Sequence, residues 1–345
     1  MRIPALLLAV GLPAVVPHTA LDVPTNGVST APDGRLFLVL ARVDGSKGPL
    51  VVEYDRATNT SIAYPNEGWN SYRGGADPAT HFVRINSQRV GPDGHLYIVD
   101  VGSPSFGEPV IFPDGPKLVT RSNSLLDDVR FNLDAGKAYL TDAGSPGLIV
   151  LDLASGLSRR VLETVPGVTT GATPVSAEGH YLTSPEGNLQ FIHADQLEVS
   201  PDGKWFYFQP ANGGLSRIKT KYLDQAFFNT SLAGNNGLAA YVEPVALTPS
   251  TGGTAIDSNG VIYVSDTDEQ RILTISANGT KAVLVQDPRR LWVDAMWITA
   301  DGKLWMPAAQ LNRGIPFGNG QSNVSKPVFT YTIDVGVGPP ANDHA

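Results

Sequence analysis

The sequence predicts an all-β chain folded as a six-bladed β-propeller, and three observations carry that prediction. A tight turn rich in Asp, Asn and Gly recurs six times, as APDGRLF (Gly34), GPDGHLY (Gly94), LDAGKAY (Gly136), SPDGKWF (Gly203), DSNGVIY (Gly260) and ADGKLWM (Gly302). Each copy is flanked by runs of β-branched and aromatic residues, which prefer a pleated, half-buried surface. No helical period separates these runs, so a repeat of roughly 40 to 65 residues holding three or four strands reads as a propeller blade and not as a solenoid turn. Asp or Asn before Gly, as in five of the six turns, is expected to supply the positive φ of a two-residue hairpin turn.

Taken in order, Met1 to Val16 is an apolar run after a single Arg, of signal-peptide length and too short for a membrane span. Met1 to Ala20 therefore reads either as a signal peptide or as the outer strand that closes the last blade, with residues 21–345 forming one propeller domain. Blade one is GVSTAPDG, RLFLVLARV, PLVVEYD and TSIAYP. Blade two gives FVRINSQRV, HLYIVDVG and PKLVT, with its outer strand missing. Blade three is LLDDVRF, KAYLTDAG, GLIVLDL and SRRVLE, after which Val165 to His193 is a Gly- and Pro-rich connection expected to cross the channel mouth. Blade four is LEVSPDG, WFYFQP, LSRIKTKYL and LAAYVEPVAL, with DQAFFNTSLAGNNG as an inserted loop. Blade five is TAIDSNG, VIYVSDT, QRILTIS and KAVLVQD; blade six offers only DAMWITADG, KLWMPAAQL and VFTYTIDV.

With 36 Gly and 27 Pro in 345 residues, the composition suits one large β domain whose turns consume both. A net charge of −8 with no basic cluster excludes nucleic acid and anionic membrane as natural partners, and a monomer that takes a small-molecule ligand is expected. No cysteine is present, which removes disulfides, thiolate metal sites and a Cys nucleophile. Sequons begin at Asn59, Asn229, Asn278 and Asn323, a mild excess over chance that would make the chain a glycoprotein in a eukaryotic secretory pathway. There is no P-loop, no nucleophile elbow and no HExxH.

Eight residues before the turn Gly, at the start of each innermost strand, stand Asn26, Asn86, Asp195, Gly252 and Asp294; in blade three the turn is one residue longer and the equivalent is Asp127. First strands line a propeller axis, so these side chains are expected to converge. Two readings of the ring stay open. Asp127, Asp195 and Asp294, helped by Asn26 and Asn86, are hard oxygen ligands of the kind that hold Ca²⁺, and their crowding without a cation would raise at least one pKa. Alternatively the side chains cap unpaired backbone N–H groups at the strand ends. With a metal, lactone or ester hydrolysis follows; without one, Asp127, Asp128, Asp195 and Asp294 would serve as general acid and base in a tautomerisation. A third class is binding without chemistry, with Trp69, Phe82 and Trp292 stacking on an aromatic ligand and Gln196 nearby. His81, five residues before Asn86, reads as a proton carrier or as a loop hydrogen-bonder. Gln310 and Asn312 read as channel-lining or as turn residues.

The runs SLLDDVRF, AYLTDAG, GLIVLDL, SPDGKWFYFQP and LSRIKTKYL, with HLYIVDVG and DAMWITADGKLWMPAAQLNR, resemble the yellow and major royal jelly protein family, including its microbial, dopachrome-tautomerase-related members. The resemblance spans Gly27 to Asp334 and implies a secreted six-bladed propeller. Members range from proteins that bind small amines in the channel to proteins associated with dopachrome-like pigment precursors. The chain departs from the family at Asp127-Asp128, where Asn-Asp is usual. It is more distantly similar to gluconolactonase and strictosidine-synthase-like propellers; in the gluconolactonase group, inner-strand residues placed like Asp127, Asp195 and Asp294 hold a divalent cation, and Gly252 stands where that group has a carboxylate. The reading favoured is a channel enzyme or binder that moves a proton on an aromatic, quinone-like or enol metabolite, with a cation-dependent lactonase and a non-catalytic binder as alternatives.

Overall fold

The structure, a computed structural model, describes residues 15–111, 119–166, 169–234 and 237–344. Each recurrent turn is closed by its glycine in the left-handed region, from φ +63° at Gly136 to +87° at Gly34, where any other residue would be strained. The turn differs from the expected two-residue hairpin. Gly34 N donates to Ala31 O at 2.9 Å and Ala31 N donates to Arg35 O at 2.9 Å, leaving three residues in the loop. Asp33 is not in the left-handed region; its Oδ1 accepts from Arg35 N at 3.1 Å, and Asp93, Asp202 and Asp257 accept in the same way. The acid stabilises the turn through its side chain, and glycine alone takes the positive φ.

The strands form antiparallel sheets. Thr25–Thr30, Leu36–Leu40, Val51–Asp55 and Thr60–Ala63 make the first, and Ile85–Val90 with Leu96–Asp100 the second. The expected third strand of this second unit, PKLVT, falls largely on residues 112–118, outside the described residues. Leu126–Asn132, Lys137–Asp142, Gly147–Asp152 and Ser158–Val161 follow. Ala194–Val199, Trp205–Pro210 and Asn212–Lys219 pair in order onto Glu243–Ile256, which on its other side pairs with Ile262–Asp266, followed by Arg271–Ile275 and Lys281–Gln286, so this long strand joins two units in one sheet. The last sheet is Trp297–Ile298, Lys303–Pro307 and Val328–Asp334, with Val16–Leu21 as its fourth strand. In that edge pairing Leu21 lies opposite Val328 and Val16 opposite Thr332; residues 1–14 lie outside the described residues.

The insertion in the fourth unit is helical where a loop was expected. Thr220–Phe228 buries Leu223, Ala226 and Phe227, at i, i+3 and i+4, against Tyr139, Ile218 and Val161. Asn229 then caps a short helix Thr230–Ala233, its Oδ1 accepting from Ser231 N and Leu232 N.

The core lies between neighbouring sheets. Leu148 and Val150 meet Phe206 and Phe208; Ala255, Tyr263 and Ile272 meet Met296, Leu304 and Met306; Leu38 and Val52 meet Trp297 and Trp305. Each such buried side chain contributes about 1.5–3 kcal/mol. This packing brings the first strands together in chain order: Thr25–Thr30 touches Ile85–Val90, which touches Leu126–Asn132, then Ala194–Val199, then Glu243–Ile256, then Trp297–Ile298. Ala295 N donates to Asn26 O at 3.1 Å, linking the last inner segment to the first. The fold is all-β and β-propeller-like. Among the described residues no helix is long and apolar enough to cross a membrane.

Candidate functional site

At the ring positions the inner strands slip register. Pairing jumps from Thr25 to Gly27, Ile85 to Ser87, Leu126 to Val129, Ala194 to Leu197 and Thr251 to Thr254. The residues skipped include Asn26, Asn86, Asp127, Asp195 and Gly252, so each sits on a β-bulge, a device that re-aims a side chain and ends regular pairing. Together with Asp294 they line one cavity of about 390 Å³. Arg84, Phe106, Ile192, Trp292 and Phe317 also line it. Phe106 meets Phe317 edge-on at 5.4 Å, which makes part of the wall aromatic.

A chain of hydrogen bonds runs round the ring. Asn26 Nδ2 donates to Asn86 O at 2.6 Å, and Asn86 Nδ2 donates to Asp127 Oδ1. The Asp127 and Asp195 side chains are hydrogen-bonded to each other, and Gln196 Nε2 donates both to Asp195 and to Thr251 O. Asp294 accepts from Trp292 Nε1 and from Ala295 N, both at 2.9 Å. Burial, then the neighbouring Asp128 charge, pushes Asp127 up to about 7. Burial, then Asp127 and Asp294, holds Asp195 well above the usual carboxylate range, and burial followed by Asp127 does the same to Asp294. Near neutral pH this arrangement offers one ionised carboxylate beside a protonated one.

Asp128, next to Asp127, serves a different layer. Its Oδ2 is 2.5 Å from Arg130 Nη1, and Arg130 also grips Glu198 through Nε at 2.9 Å and Nη2 at 3.0 Å. Burial pulls the Arg130 guanidinium down, but Asp128 and Glu198 outweigh it and hold Arg130 well above its ordinary value. Arg89 Nε donates to Asp343 Oδ1 at 2.7 Å, and Asn342 ties the same C-terminal segment to Ser200 O. His344 stacks on Trp297 at 3.5 Å. Arg89 and Arg130 each lie three residues beyond a ring position, about 10 Å along an extended strand.

Several residues singled out from the sequence lie elsewhere. Trp69, half-buried, packs on Phe82 at 5.1 Å against a core cluster with Val51 and Ile85, so Phe82 is core and Trp69 covers it. His81 Nδ1 is bound within its own loop, to Thr80 Oγ1 and Asp77 O at 3.0 Å each. Gln310 is closed on Ser325 through both amide atoms, and Asn312 bonds Glu178. Gln196 supports Asp195 from a small adjoining pocket, which Asp128 shares. Trp292 does line the cavity. Arg84, Phe106 and Phe317 line the cavity without standing at a repeat position; the signal in the sequence for Arg84 is its place two residues before Asn86, on the same face of the pleat.

For a divalent cation the donors present are of the right kind: three carboxylates and Asn26 Oδ1, a buried oxygen without a partner. Among the described residues, however, no group of three or more His, Cys, Asp or Glu side chains is set to hold a metal.

The sheets, the bulged inner strands and the shared cavity define a β-propeller-like protein whose polar ring lines an aromatic-walled pocket. The chain belongs to the major royal jelly protein family, whose model matches residues 114–332. Similar solved structures include a luciferin-regenerating enzyme (14% identity, TM-score 0.57, covering 96% of this chain and 99% of that one). A gluconolactonase from Xanthomonas campestris is similar at 12% identity and TM-score 0.55, over 96% of this chain and 94% of that one. Regucalcin, a calcium-binding protein from Agrobacterium tumefaciens, is similar at 11% identity and TM-score 0.55, over 96% and 97%. At such identities the likeness is one of fold. No curated protein sequence matches the chain.

Proposed function

We propose that the chain closes as a six-bladed propeller whose axial cavity binds an aromatic, quinone-like or enol metabolite and moves a proton on it. The observation that carries this is the Asp127–Asp195 pair: two buried carboxyls sharing a hydrogen bond, one of them pushed up to about 7, within an aromatic-walled cavity. An acid–base catalyst works best with a pKa near the operating pH. Asp127, as carboxylate, takes a proton from the carbon or hydroxyl of the ligand, and Asp195, as the acid, returns one to another atom. The bound molecule is isomerised, with no oxidant or reductant consumed. Asn86 orients Asp127 and Gln196 orients Asp195. In keeping with the family resemblance, the reading places the protein outside the cell, where the exposed Asn59, Asn229, Asn278 and Asn323 would carry glycans in a eukaryote.

The test is deuterium incorporation from D₂O into enolisable aryl ketones, followed by proton NMR. Wild type is expected to exceed the buffer rate, and Asp127→Asn and Asp195→Asn to fall back to it. Exchange that is equal in wild type and Asp127→Asn would remove the assignment, and saturable binding with no exchange would leave a binding protein.

A second reading is favoured by the unpartnered Asn26 Oδ1 beside three crowded carboxylates. Asp127, Asp195, Asp294 and Asn26 would then hold Ca²⁺, which when bound supplies Lewis-acid polarisation of a lactone or ester carbonyl.

A further inference from the structure

Arg84 stands two residues before Asn86, and both line the cavity. Two residues of extended strand place its backbone about 7 Å from the ring. The local fold holds it firmly. Asp100 accepts from Val83 N at 2.7 Å, Arg84 N at 3.1 Å and Gly102 N at 2.8 Å, which fixes the main chain on both sides of the cavity wall. Arg84 Nε donates to Ser103 O at 3.0 Å, and the guanidinium carbon lies 5.9 Å from the centre of the Phe106 ring. The plane of the fork is thus set by one hydrogen bond and one aromatic ring. Its two Nη atoms have no hydrogen-bond or ion-pair partner among the described residues. The buried Arg89, Arg130 and Arg160 are each paired with a carboxylate, and Arg290, whose guanidinium is also without a partner among the described residues, does not line the cavity. Arg84 is the one Lys or Arg among the described residues lining the cavity. An oriented guanidinium with both Nη groups free beside an aromatic wall is the geometry that receives a planar oxyanion through paired hydrogen bonds.

We propose that Arg84 fixes a carboxylate on the ligand, so that the molecule taken by this cavity is an aromatic or enolisable acid, its anionic end at Arg84 and its reacting atom at Asp127. The assignment rests on the acid–base reading for the second half of that statement only. The anion anchor is read by binding, and the proton transfer by exchange, so the two fail separately.

Phenylpyruvate and its methyl ester differ at one end only, in charge, and are the probes. Binding to the full chain is measured by calorimetry in the presence of chelator, so that a cation at the ring cannot supply the preference. Wild type is expected to bind the acid about 10- to 100-fold more tightly than the ester, the range for a charge-assisted hydrogen-bonded pair. Arg84→Met should bring the acid down to the level of the ester, and Arg84→Lys should restore part of the difference. Asp127→Asn should keep the acid preference while losing exchange. Equal affinities in wild type would overturn the anchor, as they would if the exposed Glu108 on the cavity wall swung in to neutralise Arg84. So would an acid preference that survives in Arg84→Met. A wild type that prefers the acid but exchanges nothing would keep the anchor and remove the acid–base reading.

Discussion

The side chain of Asp195 is hydrogen-bonded to that of Asp127, joining two adjacent inner strands through a pair of buried carboxyls. Unfolded, both groups titrate near 3.9. Folded, Asp127 is pushed up to about 7 and Asp195 is held well above the usual range. Between about pH 4 and 7 the native state therefore keeps protons that the unfolded chain has released, and stability falls as pH rises, by up to about 1.4 kcal/mol per pH unit for each retained proton. Asp127→Asn removes one such proton. Its melting temperature relative to wild type should climb steadily from pH 4 to pH 8, and parallel curves for the two proteins would contradict the shift.

Calcium separates the two readings of the ring. A ligand that binds only the native state at 100 times its Kd stabilises by about 2.7 kcal/mol. If Asp127 and Asp195 share a proton in the working protein, chelated wild type should show no change in melting temperature on adding Ca²⁺. A rise that disappears in Asp294→Asn would instead put the cation on the ring and move the assignment to lactone or ester hydrolysis.

Much of this arrangement is written in the spacing between turn glycine and ring residue, because a hairpin arm of constant length carries each Asn or Asp to the same level. The bulges are not written there: Asp127 and Asp128 are alike in sequence, and only the slipped register sends Asp127 to the cavity and Asp128 to Arg130. Trp69 and His81 lie away from the cavity, since nearness along the chain does not say on which side of a strand end a loop folds. The tail Asn342–Asp343–His344 has no period to read, and its contacts to Ser200, Arg89 and Trp297 are all long-range.

Close backbone packing explains why the fifth ring position, Gly252, carries no side chain at all. A Cβ there would meet Val293 O at 2.3 Å and Trp292 Cδ1 at 3.2 Å. Ser265 Oγ accepts from Gly252 N and Gly253 N and donates to Val293 O at 2.6 Å, so the two backbones are clamped together. Gly252→Ala should lose about 1–3 kcal/mol, the range for overpacking a tight contact. Ligand binding should weaken with it, because Val293 lies between Trp292 and Asp294. Gly27→Ala is the control, since its Cβ would meet Val39 at an ordinary 3.5 Å. Equal losses in thermal unfolding at the two sites would show that the clamp does not matter.

Asp343 is the opposite electrostatic case. Burial raises its carboxyl, but Arg89, first among the opposing influences, and His344 outweigh burial and hold it well below the usual range. A depressed acid contributes stability that is present above its unfolded value near 3.9 and is lost as pH falls through the folded one. Asp343→Asn would leave Arg89 buried without its charge partner and take away the 3.9 Å contact to Arg130. Breaking one side of a buried pair costs about 3–5 kcal/mol. Measured in a His344→Gln background, which removes the imidazole bonded to Asp343, the deficit should be constant from pH 5 to pH 8 and shrink only below about pH 4, while the Asp127→Asn difference changes across that same neutral window. If the Asp343→Asn deficit varied between pH 5 and pH 8, the ion pair would not be its source. The ring would then have to be coupled to the tail through Arg130, whose partners Asp128 and Glu198 lie between them.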